Sequence, residues 1–287
     1  MESRAPKVWK CRERLIRLGR PLVMGIVNVT PDSFYAGSRV PEFDAAVARG
    51  VAMVQAGARI LDVGGESTRP GAAVVPESEE AARVIPVIRA LRERCPEVLL
   101  SVDTRHTTVA RLAIAAGADI LNDVSGCEPD VGMWDCVIET GAGYILMHAR
   151  GTPQTMDGLT DYRDVVTDVA DALESATRAL VARGADVRQI VWDPGLGFAK
   201  THADSLRLLG ATAQFAERPY PYLVAASRKR FLGELTGQTE ASQRGSASIG
   251  AALWAIAAGA DMVRVHDVPE TVNALRVYLA AREVRGV

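Results

Sequence analysis

Apolar and polar positions along the chain follow a repeated phrase: a helical run ends in glycine, a short apolar segment follows, and a polar residue stops it. Ala56-Gly57-Ala58 leads into Ile60-Leu61-Asp62, Ala116-Gly117-Ala118 into Ile120-Leu121-Asn122, Gly141-Ala142-Gly143 into Tyr144-Ile145-Leu146-Met147-His148, and Ala258-Gly259-Ala260 into Met262-Val263-Arg264. Glycine just past a helix supplies the left-handed cap that turns the chain into the next strand. Apolar runs without the phrase recur at Leu22 to Asn28, Leu99 to Asp103, Ile190 to Asp193 and Tyr222 to Ser227, bringing the strands to eight. Between them, amphipathic or Ala-rich stretches near 43–56, 77–94, 106–116, 130–140, 161–183, 203–216, 243–258 and 269–283 have helical length. Eight uninterrupted strand–helix units predict a single α/β barrel of the TIM (βα)8 type over residues 21–287. A doubly wound sheet would have fewer strands and a Gly-rich first turn. Residues 1–20 precede the first strand as an N-terminal extension in which Trp9 and Cys11 alternate as a strand would, and a hairpin over the lower end of the barrel is expected.

The length of 287 residues suits such a barrel, which typically takes roughly 250. A composition of 48% hydrophobic residues with only 5% aromatic means that the core is built from Ala, Val, Leu and Ile, as strands covered by helices require. The formal net charge of -2 supplies no field for nucleic acid or an anionic membrane. Cys11, Cys95, Cys127 and Cys136 have no CxxC spacing, which argues against disulfides and zinc and for ordinary reduced thiols. No apolar run approaches the roughly 20 residues of a membrane span, and the basic first twenty residues lack the apolar core of a secretory signal. A cytoplasmic protein is expected.

In a barrel of this kind the active site lies at the carboxyl ends of the strands. The residues there are Asn28, Asp62, Asp103, Asn122 with Asp123, His148, Asp193, Ser227 followed by Arg228 and Lys229, and Arg264 with His266 and Asp267. Water at strand ends would account for any one of them. The set, however, gathers Asp and Asn on one side of the ring and bases on the other. Asp103, Asn122 and Asp193 suit a flat heterocycle rich in N–H donors, because a carboxylate accepts two parallel bonds. Asn28, Arg69, Arg264 and His266 suit an anion or a metal-bound phosphate. The loops Val29 to Ser38 and Gly64 to Gly71 are long and carry Gly and Pro hinges, as loops that close over substrate do. His106 and His202 lie at helix starts without metal-ligand spacing and are read as surface residues.

At these residues the chain resembles the dihydropteroate synthase family, from about Pro21 to Arg282. The resemblance rests on Met-Gly-Ile-Val-Asn-Val-Thr-Pro-Asp-Ser-Phe at 24–34, Asp-Val-Gly-Gly-Glu-Ser-Thr-Arg-Pro-Gly at 62–71, Ser-Val-Asp-Thr at 101–104 and Asn-Asp-Val-Ser-Gly at 122–126. Asp-Pro-Gly-Leu-Gly-Phe at 193–198, Ser-Arg-Lys at 227–229 and Arg-Val-His-Asp at 264–267 complete it. It implies condensation of 6-hydroxymethyl-7,8-dihydropterin pyrophosphate with p-aminobenzoate to 7,8-dihydropteroate, on the folate pathway. By the same resemblance, Asp103, Asn122, Asp193 and Lys229 hold the pterin, with Met147 and Phe198 against its ring. Arg264, His266 and Asn28 hold the pyrophosphate, and Asn28 its magnesium ion. Thr68, Arg69, Pro70, Phe34 and Ser227 shape the p-aminobenzoate pocket, where sulfonamides compete. The catalytic set is Asn28, Asp32, Arg69, Lys229, Arg264 and His266, and the assembly a homodimer.

Two segments depart from the family pattern. Tyr35-Ala36-Gly37-Ser38 stands where Ser-Asp-Gly-Gly is usual, which removes an acidic loop residue, and Ala149-Arg150 stands where Met-Gln is common. The first departure keeps open a non-catalytic pterin-binding paralogue. A methyltetrahydrofolate-corrinoid methyltransferase shares the acidic pterin side but needs neither a pyrophosphate clamp nor magnesium.

Overall fold

The computed structural model describes residues 7–29, 39–67, 74–127 and 131–284. Its element order begins with two short strands, β1 (Lys7–Cys11) and β2 (Arg14–Leu18), then β3 (Leu22–Asn28), α1 (Arg39–Ala56), β4 (Ile60–Gly64), α2 (Glu77–Arg94), β5 (Leu99–Asp103), α3 (Thr107–Ala115) and β6 (Ile120–Asp123). It continues with α4 (Val131–Thr140), β7 (Gly143–Met147), α5 (Val165–Ala182), β8 (Ile190–Asp193), α6 (His202–Gly210), α7 (Thr212–Ala216), β9 (Leu223–Val224), α8 (Arg230–Thr236), α9 (Gly245–Ala257), β10 (Met262–Val265) and α10 (Val268–Val284).

The eight strands β3 to β10 pair in parallel in the order β8-β7-β6-β5-β4-β3-β10-β9, and a parallel bridge between Trp192 and Tyr222 joins the two ends. The sheet is therefore closed as the (βα)8 barrel that the alternation predicts. Period-two alternation sorts each strand's side chains into two cores. One side of every strand packs against the helices: Leu61 and Val63, Leu100 and Val102, Leu121, Tyr144 and Leu146, Ile190 and Trp192 belong to that outer core. The other side fills the barrel with one residue per strand: Met24, Ile60, Leu99, Ile120, Ile145, Val191, Leu223 and Met262. Layers of this kind make the barrel a packed core and leave only its mouth open to a ligand.

The antiparallel hairpin β1-β2 closes the opposite end. Trp9 and Cys11 are fully buried in the same cluster as the inward layer, and Trp9 Nε1 donates to Gln189 O at 2.8 Å. Lys7 Nζ donates to Ala216 O and Asp261 Oδ2, both at 3.0 Å, which fastens the hairpin to the loops beneath β9 and β10. The strand and helix positions agree closely with the sequence pattern. Three details differ. The Tyr222 to Ser227 strand shortens to Leu223–Val224, the 203–216 helix breaks at Ala211 into α6 and α7, and α8 forms where the Arg228-Lys229-Arg230 run conceals a short helix capped by left-handed Gly237. Among the described residues, no helix is long and apolar enough to cross a membrane.

Candidate active site

Parity along the strands decides which polar residues enter the barrel mouth. Two residues beyond the inward apolar layer stand Asp62, Asn122, Met147, Asp193 and Arg264; four residues beyond it stand Asn28, Asp103 and Ser227. Asp123 has the other parity. It accepts from Tyr144 Oη at 2.7 Å, behind the sheet.

The floor is a buried charge network. Arg264 Nε donates to Asp62 Oδ2 at 2.6 Å, Arg264 Nη2 donates to Asp103 Oδ2, and Asn122 Nδ2 donates to Asp62 Oδ2 at 3.0 Å. Asp62 is completely buried, and Asn122 and Asp193 are each 3% exposed. Burial pushes the Asp103 carboxyl up to about 7, against the opposing pull of the Arg264 charge. Asp193 is also raised by burial, opposed by the Gly195 N–H and by Lys229. The two carboxylates in turn hold the Arg264 guanidinium charged, so strongly that it titrates well above its ordinary range despite its burial. Asp62 is among the strand-end residues of the sequence pattern but has no role assigned to it there. The same parity that selects Asn122 over Asp123 selects it too, so the signal was present in the sequence.

Asp193 is aimed by its own turn. Its Oδ1 accepts from Gly195 N at 2.8 Å, and Gly195 has φ +65 with a missing Cβ that would lie 1.9 Å from His148 O. Only glycine fits this approach. Phe198, Met147, Met156 and Ala199 form a small apolar cluster beside the acids, and Lys229 Nζ stands 4.2 Å from the centre of the Phe198 ring. Desolvation brings the Lys229 ammonium down to about 8, against the raising influence of Asp193. Beneath them, buried Lys200 donates to Phe198 O at 2.8 Å and to His148 O at 3.2 Å, with His148 Nδ1 at 3.0 Å. This tie joins the ends of β7 and β8. Burial and the neighbouring Lys200 charge press His148 down to about 2, so its ring is neutral, and it serves as a support.

On the basic side, Ser227 Oγ and His266 Nδ1 lie 3.0 Å apart, and the His266 N–H donates to Ser227 Oγ at 3.1 Å. Between Ser227 and Lys229 the chain takes a left-handed turn at Arg228, φ 58. A non-glycine residue there is strained and persists only where its surroundings hold it. Arg228 N donates to Ser248 Oγ at 2.8 Å, its Nε to Asp267 Oδ2 at 3.2 Å, and its carbonyl accepts from Arg244 Nη1 at 3.0 Å. The turn sends Ser227 and Lys229 toward the mouth while Arg228 is spent on structure.

Asn28 ends β3, half-buried, opposite Gly64 in the register. Asp32, Phe34, Thr68, Arg69 and Pro70 lie outside the described residues. Arg150 does not reach the acids; its guanidinium stacks 3.9 Å from the Tyr162 ring centre and donates to Asp161 O at 2.7 Å. His106 departs from its reading as a surface residue: it is half-buried before α3, and its Nε2 is shielded from solvent.

The family model described as pterin binding enzyme matches residues 24–266. Among curated proteins, a dihydropteroate synthase of Synechocystis is 42% identical over 87% of this chain and 86% of its own length. A probable bifunctional folylpolyglutamate synthase/dihydropteroate synthase of Haloferax volcanii is 47% identical over 91% of this chain, which spans 30% of that longer protein. Among solved structures, a dihydropteroate synthase of Xanthomonas albilineans with 4-aminobenzoic acid superposes with a TM-score of 0.90 at 44% identity, over 96% of this chain and 98% of that one.

Proposed function

Because the chain belongs to the pterin-binding enzymes, and among them to the dihydropteroate synthases, we propose that the acids of its barrel mouth take the donor edge of a pterin while the bases beside them take its pyrophosphate. The observation that carries this reading is the set of inward residues at the mouth: Asp103, Asn122 and Asp193 are turned into it from their strand ends, Arg264 bonds to Asp103, and Ser227, bonded to His266, and Lys229 follow the neighbouring strand β9. A pterin edge offers parallel N–H groups, which the remaining lone pairs of Asp193 and the Asn122 carbonyl accept without moving. Lys229, Phe198 and Met147 stand beside these acids to meet the pterin ring. The low-dielectric floor makes each bond stronger than in water.

In the reaction the bond between the pterin methylene carbon and the pyrophosphate oxygen breaks, and a bond from the same carbon to the aniline nitrogen forms as that nitrogen loses a proton. The chain's part is to hold the two reactants in line and to stabilise charge, so no covalent enzyme intermediate is needed. His266, whose Nδ1 lies 3.0 Å from Ser227 Oγ, and the Arg264 cation are the groups that stabilise the departing pyrophosphate in this reading. Ser227 is proposed to meet p-aminobenzoate and competing sulfonamides; the family resemblance assigns Phe34, Thr68, Arg69 and Pro70 to the same ligand.

Magnesium fits the donors present. Among the described residues no hydrogen bond occupies the Asn28 side-chain amide, which leaves a hard oxygen donor at the edge of the mouth. Magnesium is commonly held by one or two protein oxygens plus substrate phosphates and water. When bound, it would neutralise charge on the departing pyrophosphate. A homodimer completes the reading, supported by Trp254 on α9 and Val277 on α10, which are 56% and 72% exposed on adjacent helices.

The test is to supply the pterin pyrophosphate, p-aminobenzoate and magnesium to the purified protein and follow dihydropteroate together with pyrophosphate. Product that needs all three supports the synthase. Tight pterin binding without product would replace it with the non-catalytic paralogue and point to Ala36 in the first loop.

A further inference from the structure

Outside the barrel mouth, three side chains with metal-ligand atoms converge from three separate segments. Glu66 follows β4, Glu80 lies in the first turn of α2, and His106 precedes α3, and one ligand atom from each lies within 4.8 Å of the other two. Glu80 is the unusual member. It is fully buried, and neither of its carboxylate oxygens has a hydrogen-bond partner of good geometry; the Thr104 hydroxyl and the His106 ring are its polar neighbours. A buried carboxylate without a donor is costly, and is retained where a cation or a proton compensates it.

The histidine bears on which of these it is. Its Nδ1 stands 3.3 Å from Glu77 Oε1. Its Nε2 is shielded from solvent, has no hydrogen-bond partner, and faces Glu80 Oε2 at 3.9 Å. A cation between these two atoms would satisfy both of them. The separation is within reach of two metal bonds of about 2.0–2.2 Å each. A carboxylate on the far nitrogen of a ligating histidine is the usual outer support of such a site, fixing its tautomer and raising its basicity. Glu66 is oriented in turn, its Oε1 accepting from Val75 N at 3.2 Å and Arg105 Nη2 at 3.1 Å. The imidazole in the donor set selects a cation with strong nitrogen bonds over magnesium or calcium.

We propose that Glu66, Glu80 and His106 bind one first-row transition-metal dication of the zinc class, with Glu77 holding the imidazole. The ion is separate from the magnesium of the reaction. It pins the start of the loop after β4 to α2 and α3, beside the mouth and without contact to the reacting atoms.

The test is calorimetric titration of zinc into chelator-stripped full-length protein in excess magnesium, with thermal melting of each variant as the folding control. One equivalent is expected in the wild type and in Cys127→Ser, none in Glu80→Gln or His106→Ala, and about tenfold to hundredfold weaker binding in Glu77→Gln. Absence of zinc binding by the wild type, or binding that survives both Glu80→Gln and His106→Ala, overturns the proposal. Should those variants fail to fold, the 15N resonances of the wild-type histidines decide: zinc shifts the His106 ring nitrogens if the site exists, and unshifted nitrogens refute it.

Discussion

Replacing Asp193 by Asn probes the acidic floor with almost no change of shape. The side-chain oxygen that accepts from Gly195 N at 2.8 Å can be kept by the Asn carbonyl, so the turn with its left-handed Gly195 stays in place. The atom turned to the ligand then changes from an acceptor carboxylate oxygen to an amide NH2, which meets the N–H edge of a pterin donor to donor. A hydrogen bond to a charged group contributes about 1.5–3 kcal/mol, and each 1.4 kcal/mol is tenfold in affinity. The variant should therefore bind pterin pyrophosphate about 10- to 150-fold more weakly by calorimetry at pH 7, with an unaltered melting profile. The pH profile carries a second signature. Lys229 titrates near 8, held up by the Asp193 charge against its burial. Its cation is present below that value and lost above it, so wild-type affinity should fall as pH rises from 7 to 9. Without the Asp193 charge the ammonium loses its proton at lower pH, and the fall should move to the acid side. Affinity within about threefold of wild type, with an unmoved pH profile, would refute the placement of Asp193 against the pterin.

Three further outcomes follow from the same geometry. Lys229→Met should bind pterin pyrophosphate more weakly at pH 7 and flatten the fall in affinity between pH 7 and 9; a decline as steep as in the wild type would assign that titration elsewhere. Arg264→Met leaves Asp62 and Asp103 buried without their cation, which should cost about 3–5 kcal/mol of stability in urea unfolding at pH 7 and partly recover at lower pH, where Asp103, already raised to about 7, takes up a proton. Trp9→Ala should cost about 3–5 kcal/mol by emptying the base of the barrel, while leaving KM for both substrates unchanged in the folded fraction, because the hairpin lies at the end opposite the mouth.

The sequence carried the barrel almost whole because its two periods are local. Inward Ile60, Ile120, Val191 and Met262 and outward Leu61, Leu121, Trp192 and Val263 alternate within four-to-five-residue strands, and that parity already separates Asn122, inside the mouth, from Asp123 behind the sheet. Asp103, Asn122, Asp193 and Arg264 were legible for the same reason. The two-residue β9 and helix α8 were not, since a strand held by two pairs and a seven-residue helix beginning at Arg230 leave too short a pattern against the basic run that precedes them.

What the sequence determined by itself is the order and inward parity of the eight strands, and through them the chemistry of the mouth, because hydrophobic alternation is set by residues one and two apart. The tertiary structure decided which charges meet. Asp62 and Arg264 are joined at 2.6 Å although 202 positions separate them, Lys200 secures His148 from 52 positions away, and the Glu66, Glu80 and His106 side chains converge from three separate segments. The Asp62–Arg264 pairing arises only because β10 packs beside β3, and the others because consecutive strands β7 with β8 and β4 with β5 lie side by side, each burial removing the solvent that would otherwise screen the charges.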